Sequence, residues 1–416
     1  MNYNELSGKS ILLLGKTRSL SGDEFETLLK LHSITLQKSF TQGVALIVEG
    51  KFMNPLEQNE SERLYELRAA PIVDITVIEK WLCTSIEPNR LLMSLKLSRD
   101  AVRLVDFIKN PHITSELFFK LLKLYDWSGE GLFDNDRNRD VTAAIIGRFY
   151  VDIERNHNVQ YAMSGLAHLV EKYGNTELIT AISQLSPIAK ELKNPNDATL
   201  NGVLDAMALH SDTPEPLLQQ LLKERAKLLA YREPLVLEKE LLALEDETIQ
   251  KILAQNITLS QEGADLLEKM YPELISQFTP LDEVRFRRLI PEYGVYLASN
   301  VSLNALMQQN LMEIKNETVF SALARNPALL SQHLEQLFTL NEFDEELASN
   351  PSLSTDYLKK LYERGEDKTL KALSANVSTP VNILHQLSLD LRYARYVKTN
   401  AAFGKHIQMT NIGWNV

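Results

Sequence analysis

The sequence predicts a mainly α protein, a stack of short helices preceded by a small α/β domain. Two observations carry the prediction. Between residues 297 and 403 a phrase recurs as Leu297-Ala298-Ser299-Asn300, Leu323-Ala324-Arg325-Asn326-Pro327, Leu347-Ala348-Ser349-Asn350-Pro351 and Leu373-Ser374-Ala375-Asn376, with a worn copy ending at Asn400. The asparagines at 300, 326, 350, 376 and 400 are therefore spaced by 26, 24, 26 and 24 residues. A period of this length marks units too small to bury their own apolar faces, which stack to form a shared core. In residues 1–88, by contrast, short apolar runs alternate with segments of helical period.

In that first domain Ser10–Leu14 is an apolar run bounded by Gly15 and is expected as a buried strand. The segment from Asp23 to Leu31 carries Phe25, Leu28, Leu29 and Leu31 at helical spacing, with Ser21 or Asp23 placed to cap it. Strands are expected over Ile34 to Gln37, Val44 to Val48 and Ile72 to Asp74. Helices are expected over Glu60 to Ala69 and, with Trp81, over Val77 to Cys83. The order β-α-β-β-α-β-α implies a small sheet with helices on both faces.

From about Leu6 to Ile86 these residues resemble the BRCT domain. The resemblance is carried by Gly8-Lys9 before the first strand, Gly15 after it, the run Ala45-Leu46-Ile47-Val48-Glu49-Gly50, and Pro71-Ile72-Val73-Asp74 with Trp81-Leu82. The usual paired-glycine turn after the first helix is replaced by His32-Ser33. Phosphopeptide-binding members of that family use a hydroxyl residue just before the glycine that ends the first strand, and a basic residue early in the second helix. Here Leu14 holds the first position and cannot donate to a phosphate, Thr17 lies nearby, and Arg63 falls near the second. The resemblance thus implies at most a weak phosphate site at Thr17 and Arg63. Ser7-Gly8-Lys9-Ser10 is not a phosphate loop, because Tyr3 stands where that loop needs glycine and the strand follows instead of preceding it.

Glu87-Pro88-Asn89 breaks the pattern and is the expected domain boundary. Residues 89–193 are expected as a helical region with irregular repeats. Asn110-Pro111-His112-Ile113-Thr114 echoes the phrase, and Leu117 to Tyr125 is amphipathic. Asp134-Asn135-Asp136-Arg137-Asn138-Arg139-Asp140 alternates potential calcium ligands, but an EF-hand loop needs glycine sixth and glutamate twelfth, where Arg139 and Ile145 stand. A turn that caps a helix from Val141 is expected there, and no metal. Trp127 in the same loop is a candidate partner contact, with packing against helices as the plainer role. Val141 to Tyr173 and Thr176 to Leu192 are expected as helices, on which His157 and His168 have no partner at ligand spacing.

Helical repeats of about 25 residues are expected over 194–403, with worn copies at Thr213-Pro214, Glu233-Pro234, Asn256-Ile257-Thr258 and Thr279-Pro280. Thr213 and Thr379 suit helix N-caps, and the prolines after them suit the first helical position. Apolar residues follow at helical spacing, as in Tyr357, Leu358 and Leu361 or Ile383, Leu384 and Leu387. A second short helix, such as Lys368 to Leu373, then ends at an asparagine, a residue that tolerates the left-handed conformation. Asn300, Asn326, Asn350, Asn376 and Asn400 are therefore expected as structural markers of the repeat and not as a row of ligand residues. Two short helices per unit resemble the leucine-rich repeat variant family and, more loosely, HEAT-type arrays. That resemblance implies a right-handed α-solenoid. Some variant-family members carry an iron–sulfur cluster on an N-terminal group of cysteines; this chain has only Cys83, and no cofactor is expected. Residues 404–416 leave the pattern and are expected as a C-terminal cap or tail, with Trp414 as the residue that covers the open end or meets a partner.

The 416 residues include 44 basic and 55 acidic side chains, a net charge of −11, which disfavours a surface built to hold nucleic-acid backbone. A single cysteine excludes a disulfide framework and an all-cysteine metal site. No apolar run is long enough to cross a bilayer, and Met1-Asn2-Tyr3-Asn4-Glu5 lacks the basic and apolar regions of a signal peptide, so a cytoplasmic location is the default expectation. No catalytic Ser-His-Asp order, His-Glu pair or glycine-rich phosphate loop is found. The expected function is a non-enzymatic protein–protein interaction scaffold, and the BRCT resemblance implies a DNA repair or replication assembly. Two alternatives stand beside it: a nucleic-acid-binding or base-processing helical-repeat protein, and a phosphopeptide-binding module using Arg63.

Overall fold

The structure is a computed structural model in which residues 3–152 and 157–410 are described. It is mainly helical, 64% helix, with a small parallel sheet near the N-terminus. The chain divides into two compact units, Met1–Lys223 and Glu224–Val416.

In the first unit β1 (Ser10–Leu14), β2 (Thr35–Gln37), β3 (Val44–Glu49) and β4 (Ile72–Asp74) form a parallel sheet in the order β2-β1-β3-β4. Parallel pairing requires crossovers, here provided by α1 (Gly22–Leu31) between β1 and β2 and α2 (Pro55–Glu66) between β3 and β4; α3 (Ile75–Cys83) follows β4. Leu12, Leu14 and Ile47 pack with Leu64 of α2 on one face. The alternate residues Ile11, Leu46 and Val48 are buried on the other, where α1 and α3 pack together. Burial on both faces explains why these strands are continuous apolar runs instead of alternating ones.

Several boundaries differ from expectation for local reasons. α2 starts five residues early, at Pro55 instead of Glu60, because Asn54 accepts from the N–H groups of Leu56 and Glu57 while the Glu57 carboxylate accepts from the Asn54 N–H. At Glu87-Pro88-Asn89 a helix, Pro88–Ser98, begins at once, with Glu87 as its cap and proline in its first turn. The long helix expected over Val141 to Tyr173 is instead Asp136–Phe149 and Met163–Tyr173, the latter preceded by a tight turn at His157–Tyr161. Gly165 allows that turn to sit on the helix, since a Cβ there would lie 1.9 Å from the Val159 carbonyl oxygen. Pro187 splits the segment expected over Thr176 to Leu192 into Thr176–Ser183 and Ser186–Lys193.

The second unit is a two-layer, helical repeat-like stack. In one layer Glu283–Ala298, Glu317–Arg325, Asp344–Ser349, Asp367–Ala375 and Leu391–Thr399 pack each on the next. In the other lie Ala305–Glu313, Ser331–Leu340, Thr355–Arg364 and Val381–Ser388. Leu297, Leu323, Leu347 and Leu373 of the phrase, with Leu311, Leu337, Leu361 and Leu387, share one continuous core.

The asparagines correct the expectation in an informative way. Asn326, Asn350, Asn376 and Asn400 are not left-handed: φ runs from −72° to −75° and ψ from 115° to 122°. Their role comes from the carboxamide. Asn350 donates from Nδ2 to the carbonyls of Ala324 (3.0 Å) and Asn326 (2.8 Å), and its Oδ1 accepts from the Ser352 N–H (2.9 Å). Asn326 reaches Ala298 and Asn300 in the same way, Asn376 reaches Ala348 and Asn350, and Asn400 reaches Ser374 and Asn376. Each amide thus takes up a helix-end carbonyl of the preceding repeat, a group the helix itself cannot satisfy, and ties consecutive repeats together. Asn300 reaches Ser276 and Thr279, and Asn256 reaches Ala230 and Arg232, which extends the ladder upstream through worn copies.

Thr213 and Thr379 are likewise not helix N-caps. Both are buried, and each hydroxyl donates to the carbonyl six residues earlier, Met207 (2.6 Å) and Leu373 (2.7 Å). Burial makes an internal acceptor mandatory, and the end of the preceding helix supplies it.

Candidate functional site

Because the ladder fixes the repeats one on another, equivalent positions on successive helices of the first layer form a surface column. Five and four residues before each asparagine stand the pairs Val295 and Tyr296, Ser321 and Ala322, Glu345 and Glu346, Lys371 and Ala372, and Arg395 and Tyr396. At two steps neighbours along the column touch. Glu346 accepts from Ser321 Oγ (3.0 Å) and pairs with Arg325 (3.1 Å), while Lys371 Nζ lies 5.2 Å from the centre of the Tyr396 ring. The framework beneath is uniform and the column differs at every step, from aromatic through acidic to basic.

The basic end is distinctive in a chain of net charge −11. Lys368 and Lys371 are exposed on Asp367–Ala375, Arg395 and Lys398 on Leu391–Thr399, and Lys405 beyond them. Among the described residues none of these five has a carboxylate partner, whereas Arg392 is occupied by Asp390 (2.8 Å) and Asp367 (2.9 Å). Arg395 stacks 4.5 Å from the centre of the Tyr396 ring and donates to its hydroxyl. That bond, reinforced by Lys371, holds the Tyr396 phenol below its ordinary pKa. Leu389 and Leu391 beside this end are 86% and 92% exposed.

The N-terminal candidates fall elsewhere. Thr17 is half-buried in the loop after β1, and Arg63 lies exposed on α2, where it donates to both carboxylate oxygens of Glu60 (2.8 and 2.7 Å). The hydrogen bond from Arg63 holds Glu60 below the usual carboxylate range. No hydrogen bond or ion pair joins Thr17 and Arg63 among the described residues. The Gly15 N–H at the end of β1 is taken by Glu57 Oε1 (3.1 Å). The next stretch of loop is filled by fully buried Glu79, which accepts from the backbone N–H groups of Arg18 (2.8 Å), Ser19 (2.9 Å) and Leu20 (3.2 Å). Sequence reasoning missed both glutamates, because the loops they satisfy lie more than 40 residues away, at separations of 42 and 59 to 61.

Trp127 is 3% exposed and packs edge-on against Tyr125 at 5.0 Å, so its ring is part of the core of its loop and presents almost no surface. Asn138 completes that loop by donating to the carbonyls of Trp127 and Gly131. Asp134 and Asn135 are spent on the N–H groups of Gly131 and Asn138, and no group of three potential metal ligands occurs among the described residues. Trp414 lies outside the described residues. A cleft of about 740 Å³ beside the loop is lined by three cations, Lys96, Arg99 and Arg137, and four carboxylates, Asp100, Asp126, Glu130 and Asp136, and so selects no sign of charge.

Compared with known proteins, the chain matches no family model, no curated protein and no solved structure. No helix among the described residues is long and apolar enough to cross a membrane.

Proposed function

We infer that this protein is a non-enzymatic interaction scaffold, with a protein partner recognised by the surface column of the second unit. The observation that carries the reading is the separation of framework from surface. The asparagine amides and leucine core repeat from unit to unit, while Tyr296, Ser321, Glu346, Lys371 and Arg395 do not. A regular stack that displays changing side chains suits recognition of an extended partner. The finer assignments, a BRCT-like N-terminal domain and a right-handed solenoid of the leucine-rich repeat variant or HEAT type, belong to the same reading. The first is supported by the element order β1-α1-β2-β3-α2-β4-α3 and the second by paired helices tied at the asparagine spacing. A role in a DNA repair or replication assembly rests on the BRCT resemblance alone.

The test is capture of partners by the tagged full chain and by a variant with Arg325, Glu346, Lys371 and Arg395 all changed to Ser. Proteins retained by the parent and lost by the variant, at unchanged thermal stability, are the expected result. An identical set of captured proteins, or none with either chain, would contradict the reading.

A further inference from the structure

We propose that the basic end of the column, centred on Lys371, Tyr396 and Arg395, is a docking site for an acidic, leucine-bearing segment of a partner protein. The inference rests on the scaffold reading and adds the chemistry of the partner.

The argument starts from charge. Lys371 and Arg395 flank one phenol ring, 5.2 Å and 4.5 Å from its centre, on neighbouring helices of one layer. Two like charges converging on one ring repel, and no ion pair with a carboxylate among the described residues offsets them, Asp367 and Asp390 being held by Arg392. An anionic partner would. Lys368 and Lys398 continue the field along the same two helices, Lys368 three residues from Lys371 and Lys398 three from Arg395, so each pair shares a helix face. The site is thus a strip, matched to a run of carboxylates and not to a single ion.

Apolar surface decides between kinds of polyanion. Leu391 stands one turn before Arg395 and on the same face, 92% exposed, with Leu389 at 86% just ahead of the helix. Two leucines left in water beside a cationic strip suit a ligand that carries apolar side chains between its acids. A nucleic-acid backbone would use the cations and the ring but would gain little from the leucines. The observations favour the acidic protein segment.

Fluorescence anisotropy with the full chain tests this, using labelled peptides built of Glu and Leu, of Gln and Leu and of Lys and Leu, together with labelled oligothymidylate. The Glu/Leu peptide should bind, and the Gln/Leu peptide should not. Lys371→Glu with Arg395→Glu should weaken the Glu/Leu peptide at least about tenfold and should instead admit the Lys/Leu peptide, a gain that misfolding cannot produce. Leu391→Ser should weaken the Glu/Leu peptide while leaving its salt dependence in place. If the reversed pair folds poorly, Lys371→Gln with Arg395→Gln should still weaken the Glu/Leu peptide, without admitting the Lys/Leu peptide. Oligothymidylate binding tighter than the Glu/Leu peptide and indifferent to Leu391→Ser would overturn the proposal in favour of nucleic acid. So would a concentration-dependent dimer abolished by the reversed pair, in favour of a second copy of this chain, and so would the absence of binding by any probe. Partners captured through other surfaces would leave the scaffold reading standing while this site failed. Binding of the Glu/Leu peptide with no captured partner would do the reverse.

Discussion

Replacing Asn350 by alanine probes the ladder at its centre. The side chain is 1% exposed and makes three hydrogen bonds, to the carbonyls of Ala324 and Asn326 and from the N–H of Ser352. The Asn326 carbonyl also accepts from the Leu329 N–H and keeps that bond, while the Ala324 carbonyl, in the last turn of its helix, loses the partner the next repeat provides. Three bonds at about 1 kcal/mol each, with a buried carbonyl left unpaired, place the cost at about 3 kcal/mol. Asn350→Asp keeps the shape but turns an oxygen toward two carbonyls, and should cost at least as much. Ser349→Ala, one residue earlier and exposed, should change stability by no more than about 0.5 kcal/mol. Urea denaturation followed by circular dichroism gives the energies, and hydrogen exchange over residues 324–353 shows whether the loss is local. A cost below about 0.5 kcal/mol for Asn350→Ala, or Asp tolerated better than Ala, would refute the view that these amides join the repeats.

Further outcomes follow from other sites. Arg285 is 4% exposed and bonds Glu268 (3.1 Å), Gln261 (2.6 Å) and Asp265; because Arg288 also holds Glu268 and Asp265 is exposed, Arg285→Ala should cost about 2–3 kcal/mol in a denaturation curve, and lysine should not restore it. Gly165→Ala places a methyl group against the Val159 carbonyl and should lower stability by about 1–3 kcal/mol, checked by thermal melting. Burial pushes the Cys83 thiol up to about 11, so at pH 8 almost none is thiolate, and a disulfide reagent should label it only after unfolding; rapid labelling of the folded chain would contradict this. Glu79→Gln turns an amide toward the N–H groups of residues 18–20 and should destabilise the first unit by about 2 kcal/mol, measured in urea.

The architecture was legible where the physics is local. The apolar runs at Ser10–Leu14 and Val44–Glu49 mark strands buried on both faces, and the asparagine spacing marks the stack. The function of the asparagines was not legible, because the carbonyls to which their amides donate lie 21 to 28 residues away and a local view sees only a turn residue. Thr213 and Thr379 misled for a similar reason: threonine before proline has the signature of an N-cap, but burial directs the hydroxyl backward to the preceding helix. The basic end of the column was hidden by averaging, since a chain total of −11 conceals five cations between residues 368 and 405 that have no carboxylate partner among the described residues. Of the two roles open to Trp127, packing is the one the structure shows, with Tyr125 and Asn138 closing the loop around it.

Lysine-directed cross-linking of the full chain to a captured partner, mapped by mass spectrometry, tests the central claim most directly. Lys368, Lys371, Lys398 and Lys405 mark the proposed surface, and Lys359 and Lys360, on Thr355–Arg364 of the other layer, are exposed controls on the same molecule. The account predicts partner cross-links concentrated on the first group. Cross-links confined to Lys359 and Lys360, or to lysines of the N-terminal sheet domain, would contradict it.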